Sequence, residues 1–291
     1  MSYPFLLGHG TQNDFVLLPD HDNTVHGRLS RDAWADRVRA LCHRRAGLGG
    51  DGVLRVVRTK YVDPSQAGEA QWFMDYWNAD GSVSEMCGNG IRVFARHLLL
   101  EGLVEPGAPV PVATRDGVKT ISFTGAAGED SSEVTVDMGT PKVLGTSAVT
   151  IGSSTWQARH VDVGNPHAVA FLDDGVGLEA SGPVGPLTEE PSYDAGVYPH
   201  GVNIEFVQPL GPGHVAMRVH ERGSGETRSC GTGACAVAVA VAVREGLRGR
   251  GEDVTCRVDL PGGTLTITWT TDDRLLMTGP AVLVAAGQTD L

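Results

Sequence analysis

The strongest constraint on this chain is that its second half repeats the pattern of its first. A shift of 143 residues carries Cys87-Gly88-Asn89-Gly90 onto Cys230-Gly231-Thr232-Gly233, Met74 onto Met217 and Asn78 onto Glu221. In each copy a strand-like run (Gln71 to Trp77, then His214 to His220) enters a polar loop that ends in the cysteine, and an apolar segment of helix length follows. Upstream, Gly10-Thr11-Gln12-Asn13 precedes Phe15-Val16-Leu17-Leu18, as Gly164-Asn165-Pro166-His167 precedes Ala168-Val169-Ala170-Phe171-Leu172. Asp51 follows Asn13 by 38 residues, and Asn203 follows Asn165 by the same 38. One matched tetrapeptide is weak evidence of a repeat, but a matched order of elements points to a duplicated fold.

After Cys87 the residues Ile91, Phe94, Ala95 and Leu98 recur at helical spacing, and Gly102 marks the stop. Ala234 to Val243 is mostly Ala and Val in alternation, which favours a strand, but its length, its Arg244-Glu245-Gly246 ending and its match to the first copy decide for a helix. Being apolar on all sides, that helix belongs at the centre of its half. Much of the rest reads as strands, among them Glu133 to Met138, Val254 to Leu260, Thr264 to Thr270 and Ala281 to Ala285. The expected fold is α+β, with two pseudo-symmetric domains, each a curved mixed β-sheet wrapped around a central helix. The expected domains are residues 1–130 with a returning C-terminal strand 278–291, and residues 131–277. The break falls near Asp130, and a site is expected in the cleft between the halves.

The formal net charge of −12 argues against nucleic acid or an anionic membrane as partner. Met1 to Gly10 shows no basic region followed by an apolar run, and the longest apolar stretch, Gly231 to Val243, is too short to span a bilayer. A soluble, cytoplasmic protein is expected. Cys42, Cys87, Cys230, Cys235 and Cys256 are odd in number and lack C-x-x-C spacing, which disfavours a disulfide framework and a zinc site. No metal site is expected from these cysteines.

A cysteine followed by Gly-x-Gly at a helix start sits where backbone N–H groups point outward unpaired. There the helix dipole lowers a thiol pKa, and the same turn can hold a carboxylate. Two related sites suggest proton transfer on opposite faces of one carbon, one cysteine entering as thiolate and the other as thiol. An amino-acid α-proton is weakly acidic, so fixed N–H groups around the carboxylate must stabilise the developing charge. Either cysteine taken alone reads equally as a buried structural thiol. The rival readings of the pair are a thiol redox switch and a non-catalytic amino-acid binder.

Met86-Cys87-Gly88-Asn89-Gly90, Gly164-Asn165-Pro166-His167, Glu221-Arg222-Gly223-Ser224-Gly225-Glu226-Thr227 and Ser229-Cys230-Gly231-Thr232-Gly233 together resemble the diaminopimelate epimerase family. The likeness runs from Gly10 to Gly263 and beyond. It implies a cofactor-independent isomerase that interconverts LL- and meso-diaminopimelate for lysine and peptidoglycan precursors, usually as a homodimer. It further implies Cys87 and Cys230 as the two bases, and backbone N–H groups at Gly88-Asn89 and Gly231-Thr232 around the reacting carboxylate. Asn13, Asn78, Asn165, Asn203, Glu221 and Arg222 would line the pocket, with His167 and Glu221 tuning the thiols. Arg222 suits a carboxylate bidentately, although the asparagines also read as turn residues and Glu221-Arg222 as a solvated pair. A proline or hydroxyproline racemase is the nearest rival, but a small ring needs no distal clamp. Two positions depart from the pattern. Gly52 stands where many members carry a glutamine, and Gln12 replaces a glycine in a turn where positive φ is resisted by other residues.

Overall fold

The computed structural model describes residues 2–105, 107–124, 133–173 and 175–291. The chain divides into two compact units, Met1–Val136 with Gly279–Leu291, and Asp137–Thr278. The break expected near Asp130 lies outside the described residues.

The first unit begins with β1 (Tyr3–Gly10), β2 (Asn13–Pro19), α1 (Arg31–Cys42), β3 (Gly52–Arg58) and β4 (Trp72–Asn78). It continues with α2 (Gly88–Leu100), β5 (Val110–Thr114), β6 (Gly117–Thr124) and β7 (Glu133–Asp137). The C-terminal strand, Val282–Thr289, returns to pair antiparallel with β1. From there the order runs β1, β2, β3, β4, β5, β6, β7, antiparallel throughout except for the parallel pairs β2–β3 and β4–β5. Parallel neighbours need a long crossover, and α2 with its flanking loops provides the one from β4 to β5.

The second unit contains β8 (Lys142–Ile151), β9 (Ser154–Asp162), β10 (Pro166–Phe171), the two-residue β11 (Ser192–Tyr193) and β12 (Asn203–Gly211). Then come β13 (His214–Glu221), β14 (Gly225–Thr227), α3 (Gly231–Arg244), β15 (Val254–Leu260), β16 (Gly263–Trp269) and β17 (Leu275–Gly279). Its main order is β8, β9, β10, β12, β13, β15, β16, β17, with β10–β12 and β13–β15 parallel and the rest antiparallel. Strand for strand this repeats the first unit, and α3 occupies the place of α2. The expected α+β fold, a mixed sheet around a central helix in each half, is what the chain adopts.

Both central helices are buried along nearly their whole length. The Ala/Val run of α3 is helical, and β9, β10, β12, β15 and β16 pack against it. Ile91, Phe94, Ala95 and Leu98 are fully buried, as their spacing predicted. The opposite side of α2 is buried too. Arg92 is fully enclosed and donates to Gly88 O at 3.2 Å, Thr11 Oγ1 at 3.2 Å and Pro280 O at 3.4 Å. The two helices end alike. Gly102 and Gly246 have φ of 64° and 61° and bond back to Leu99 and Val243, while Leu103 and Leu247 bond back to Leu98 and Ala242. That is the Schellman arrangement in which a left-handed glycine closes a helix.

The sequence pattern did not single out α1, whose Ser30 side chain caps it by accepting from Ala33 N at 3.3 Å. It buries Trp34, Val38, Leu41 and Cys42 on one face. No described helix is long and apolar enough to cross a membrane.

Candidate active site

Each cysteine of the repeat is the N-cap of its central helix. Cys87 has φ −142° and ψ 118°, and Cys230 has φ −124° and ψ 110°. With the cap residue extended, the side chain turns back over the first turn, so that Gly90 N donates to Cys87 Sγ at 3.4 Å and Gly233 N to Cys230 Sγ at 3.3 Å. Sulfur takes the place that a serine or aspartate oxygen fills in an ordinary cap. The N–H groups of Gly88, Asn89, Gly231 and Thr232 lie in the first turns, where a helix leaves its donors without partners inside the helix. Such a turn can receive a carboxylate.

In the first unit the hairpin between β1 and β2 carries Asn13 to its cysteine. Gly10 pairs with Asn13, leaving Thr11 and Gln12 as a two-residue turn with φ of 50° and 62°. Turns of that kind need both central residues left-handed. Gln12 therefore holds the left-handed conformation that glycine would adopt freely, and Thr11 beside it does the same. Thr11 is buried and its hydroxyl accepts from Arg92, which ties the strained tip to α2. Beyond the tip, Asn13 Oδ1 accepts from Cys87 Sγ at 3.8 Å and from Asn89 Nδ2 at 3.2 Å. Its Nδ2 donates to Asp51 Oδ2 at 2.7 Å. Arg44 bridges Asp14 and Asp51 at 2.8 and 2.6 Å. Arg44 holds the Asp14 carboxyl below its usual range, while burial raises that of Asp51. Asn78, at the end of β4, donates to Ser82 Oγ at 3.0 Å.

Gly52 fits its surroundings closely. A Cβ there would lie 2.6 Å from both Trp77 O and Tyr76 Cε2, and 3.3 Å from the Tyr76 hydroxyl oxygen. The Tyr76 ring occupies the space that a longer residue at position 52 would enter, so glycine at 52 and tyrosine at 76 go together.

In the second unit the cysteine is more enclosed. Cys230 is 5% exposed. Thr232 Oγ1 lies 3.5 Å from its sulfur, and Asn165 Nδ2 donates to that hydroxyl at 3.4 Å. Asn165 Oδ1 meets His167 Nε2 at 2.9 Å, and His167 Nδ1 meets Glu205 Oε1 at 2.6 Å. Glu221 hydrogen-bonds to Cys230 and accepts from the Thr227 hydroxyl. Asn203 joins three strand ends, donating to Pro166 O at 3.4 Å and accepting from Arg222 N at 2.9 Å. The Arg222 side chain is exposed, donates to His200 O at 3.0 Å, and makes no ion pair among the described residues. Gly201, with φ 84°, leaves room for it, since a Cβ there would fall 2.7 Å from Arg222 Cδ.

Two expectations need correcting. The helix start alone was expected to lower the thiol pKa, yet Cys230 is pushed well above the ordinary thiol value. Burial does most of this, and the carboxylates of Glu221 and Glu205 add to it against the Thr232 hydroxyl and Gly233 N–H. Desolvation penalises the thiolate more than a few donors reward it. Burial likewise raises Glu221, against its bonds to Thr227 and Cys230 and the influence of His167. The second correction concerns the repeat. Counting 38 residues matches Asn203 with Asp51, but strand register matches it with Gly52. Phe15 pairs with Gly52 and His167 with Asn203, and the next residues, Val53 and Ile204, face Trp77 and His220. Asn203 therefore projects where the first unit has no side chain at all.

Glu205 was not among the sequence candidates, although a charge inside the apolar run Ile204 to Val207 is a visible signal of a buried ion. Cys42, Cys235 and Cys256, to which the sequence assigns no role, are all buried. Among the described residues no group of three or more His, Cys, Asp or Glu side chains is placed to hold a metal.

The family model described as Diaminopimelate epimerase matches residues 5–144 and 159–284. The chain is similar to the diaminopimelate epimerase of Streptomyces coelicolor, 54% identical over 98% of this chain and 95% of that one. It is also similar to that of Corynebacterium glutamicum, 43% identical over 100% and 99%. Among solved structures it shares its fold with a Bacillus anthracis phenazine biosynthesis protein of the PhzF family (TM-score 0.71, 13% identity, 100% of both chains). A hydroxyproline epimerase from Agrobacterium vitis gives a TM-score of 0.64 at 16% identity, over 99% of this chain and 92% of that one. At such identities the likeness concerns the fold alone. The match to the family model over most of the chain, with curated relatives near half identity, shows that the chain belongs to the diaminopimelate epimerase family.

Proposed function

We propose that this protein interconverts LL- and meso-diaminopimelate with Cys87 and Cys230 as its two acid/base groups, in the supply of lysine and peptidoglycan precursors. The observation that carries this is the repetition: each unit caps a buried central helix with a cysteine whose sulfur accepts a first-turn N–H. One sulfur, as thiolate, takes the α-proton and becomes a thiol. The other, as thiol, returns a proton to the opposite face and becomes the thiolate. The reverse reaction exchanges the roles, and no electrons leave or enter.

The N–H groups of Gly88, Asn89, Gly231 and Thr232 would hold the reacting carboxylate and stabilise charge developing on it. Arg222, exposed and without an ion-pair partner among the described residues, suits a distal carboxylate. Glu221 suits an ammonium, and the amides of Asn13, Asn78, Asn165 and Asn203 complete the pocket. His167 and Glu221 tune the second thiol. This chemistry asks for no metal and no cofactor. A homodimer in the cytoplasm completes the proposal.

The test is exchange of the substrate α-hydrogen with solvent deuterium, without added cofactor, across diaminopimelate stereoisomers and proline. Exchange with diaminopimelate and its loss in both Cys87→Ala and Cys230→Ala, by at least about a hundredfold, is expected. Exchange with proline instead, or activity retained in both variants, refutes the proposal.

A further inference from the structure

Behind their cysteine-capped turns the two units differ in chemistry. Strand register makes Phe15 and Leu54 the counterparts of His167 and Glu205. A Cβ at Gly90 would meet Leu54 Cδ2 at 3.1 Å and Phe15 Cζ at 3.5 Å. A Cβ at Gly233 would meet Glu205 Oε1 at 2.8 Å and Cys230 Sγ at 3.2 Å. One turn therefore rests on hydrocarbon and the other on a carboxylate. Glu205 is fully buried, and its Oε2 has no hydrogen-bond partner among the described residues. Packing alone would favour an apolar residue there, as Leu54 shows at the matched position, because a buried carboxylate short of donors is costly.

We propose that Glu205 is a positioning residue that keeps the proton on Cys230, so that the second thiol is the proton carrier of the ligand-free protein. A negative charge behind the sulfur opposes its ionisation. The groups that share this environment are Glu221, bonded to Cys230, and His167, bonded to Glu205, with His160 and Tyr198 coupled to that pair. Burial and both carboxylates act on Cys230 in the same direction. In the first unit the matched positions behind the turn are Phe15 and Leu54, neither of them charged. Asp51 accepts from the Asn13 amide, whose oxygen accepts from Cys87. A shared backbone scaffold thus places a carboxylate behind one thiol and hydrocarbon behind the matched turn, an asymmetry that suits a reaction needing one acid and one base. That catalytic meaning rests on the two-thiol proposal above, but the placement of the proton does not.

The test is the pH dependence of iodoacetamide alkylation in the full-length protein, read peptide by peptide by mass spectrometry. In the wild type the Cys230 profile should lie above the ordinary thiol range. Glu205→Gln, neutral and similar in shape, should move it down by about one pH unit, roughly a tenfold faster alkylation at fixed pH below the midpoint. Glu205→Asp, which keeps the charge, should follow the wild type, and the Cys87 profile should not move in either variant. An unmoved Cys230 profile in Glu205→Gln, an equal movement of Cys87, or a wild-type Cys230 titrating in the ordinary range overturns the proposal. Should Glu205→Gln fail to fold, the wild-type profile still decides. None of these readouts involves turnover, so failure of the diaminopimelate assay would leave them standing, and the reverse also holds.

Discussion

Gly233→Ala tests whether the carboxylate behind the second turn is as tightly packed as its distances imply. The backbone at Gly233 is helical, so alanine meets no conformational barrier, and helix propensity returns up to about 1 kcal/mol relative to glycine. The new methyl, however, would sit 2.8 Å from Glu205 Oε1 and 3.2 Å from Cys230 Sγ. Ordinary contact requires a shift of about half an ångström, taken from a carboxylate already 2.6 Å from His167 and wholly enclosed. Overpacking of this kind costs about 1–3 kcal/mol, which, less the propensity gain, leaves Gly233→Ala destabilised by up to about 2 kcal/mol. At Gly90 the nearest atom is Leu54 Cδ2 at 3.1 Å, the end of a flexible side chain, and Cys87 Cβ and Phe15 Cζ stand at ordinary contact. There propensity and packing nearly cancel, to within about 1 kcal/mol of the wild type. Urea denaturation of both variants, with calorimetry to show whether the two units unfold together, measures the difference. Adding Glu205→Asp to Gly233→Ala should recover part of the loss. Gly90→Ala costing as much as Gly233→Ala, or Glu205→Asp bringing no recovery, refutes the packing argument.

Two further outcomes follow from buried groups elsewhere. Gly52→Gln should lower the melting temperature of the protein, because its Cβ would collide with the Trp77 carbonyl and the Tyr76 ring. Tyr76→Ala in the same chain should offset much of that loss, and purely additive effects in the double-mutant cycle would show that Tyr76 is not the obstacle. His97 is 1% exposed, has no hydrogen-bond partner for either ring nitrogen among the described residues, and is held neutral by burial at a pKa of about 4. The unfolded chain takes up this proton first, near pH 6.5. The stability is therefore whole above pH 6.5 and falls as pH drops toward 4, by up to about 3 kcal/mol. His97→Leu should flatten the slope of stability against pH across that window, and an unchanged slope there would contradict the assignment.

The repeat made the architecture legible because it specifies the same physics twice. A cysteine before Gly-x-Gly, an apolar run and a closing Glu-Gly-Leu fix a helix's start, burial and end, and Glu101-Gly102-Leu103 and Glu245-Gly246-Leu247 close theirs with the same bonds. Periodicity located the apolar face of α2 but not the burial of Arg92, since the acceptors that make its burial tolerable come from Thr11 and Pro280, far away in the chain. Counting residues along the repeat fails wherever a loop differs by one, which is how Asn203 came to be matched with Asp51. Register across a ladder is insensitive to loop length and matches it with Gly52. The same register exposes what a repeat cannot transmit. Duplication passes on backbone position, while each side chain answers to its own surroundings, so Leu54 and Glu205 share a place and differ in charge. Under the two-thiol proposal, the helix dipole, common to both turns, cannot by itself make one thiol the acid and the other the base. That difference has to come from the residues in which the two copies diverge, and behind the turns these are Phe15 and Leu54 against His167 and Glu205.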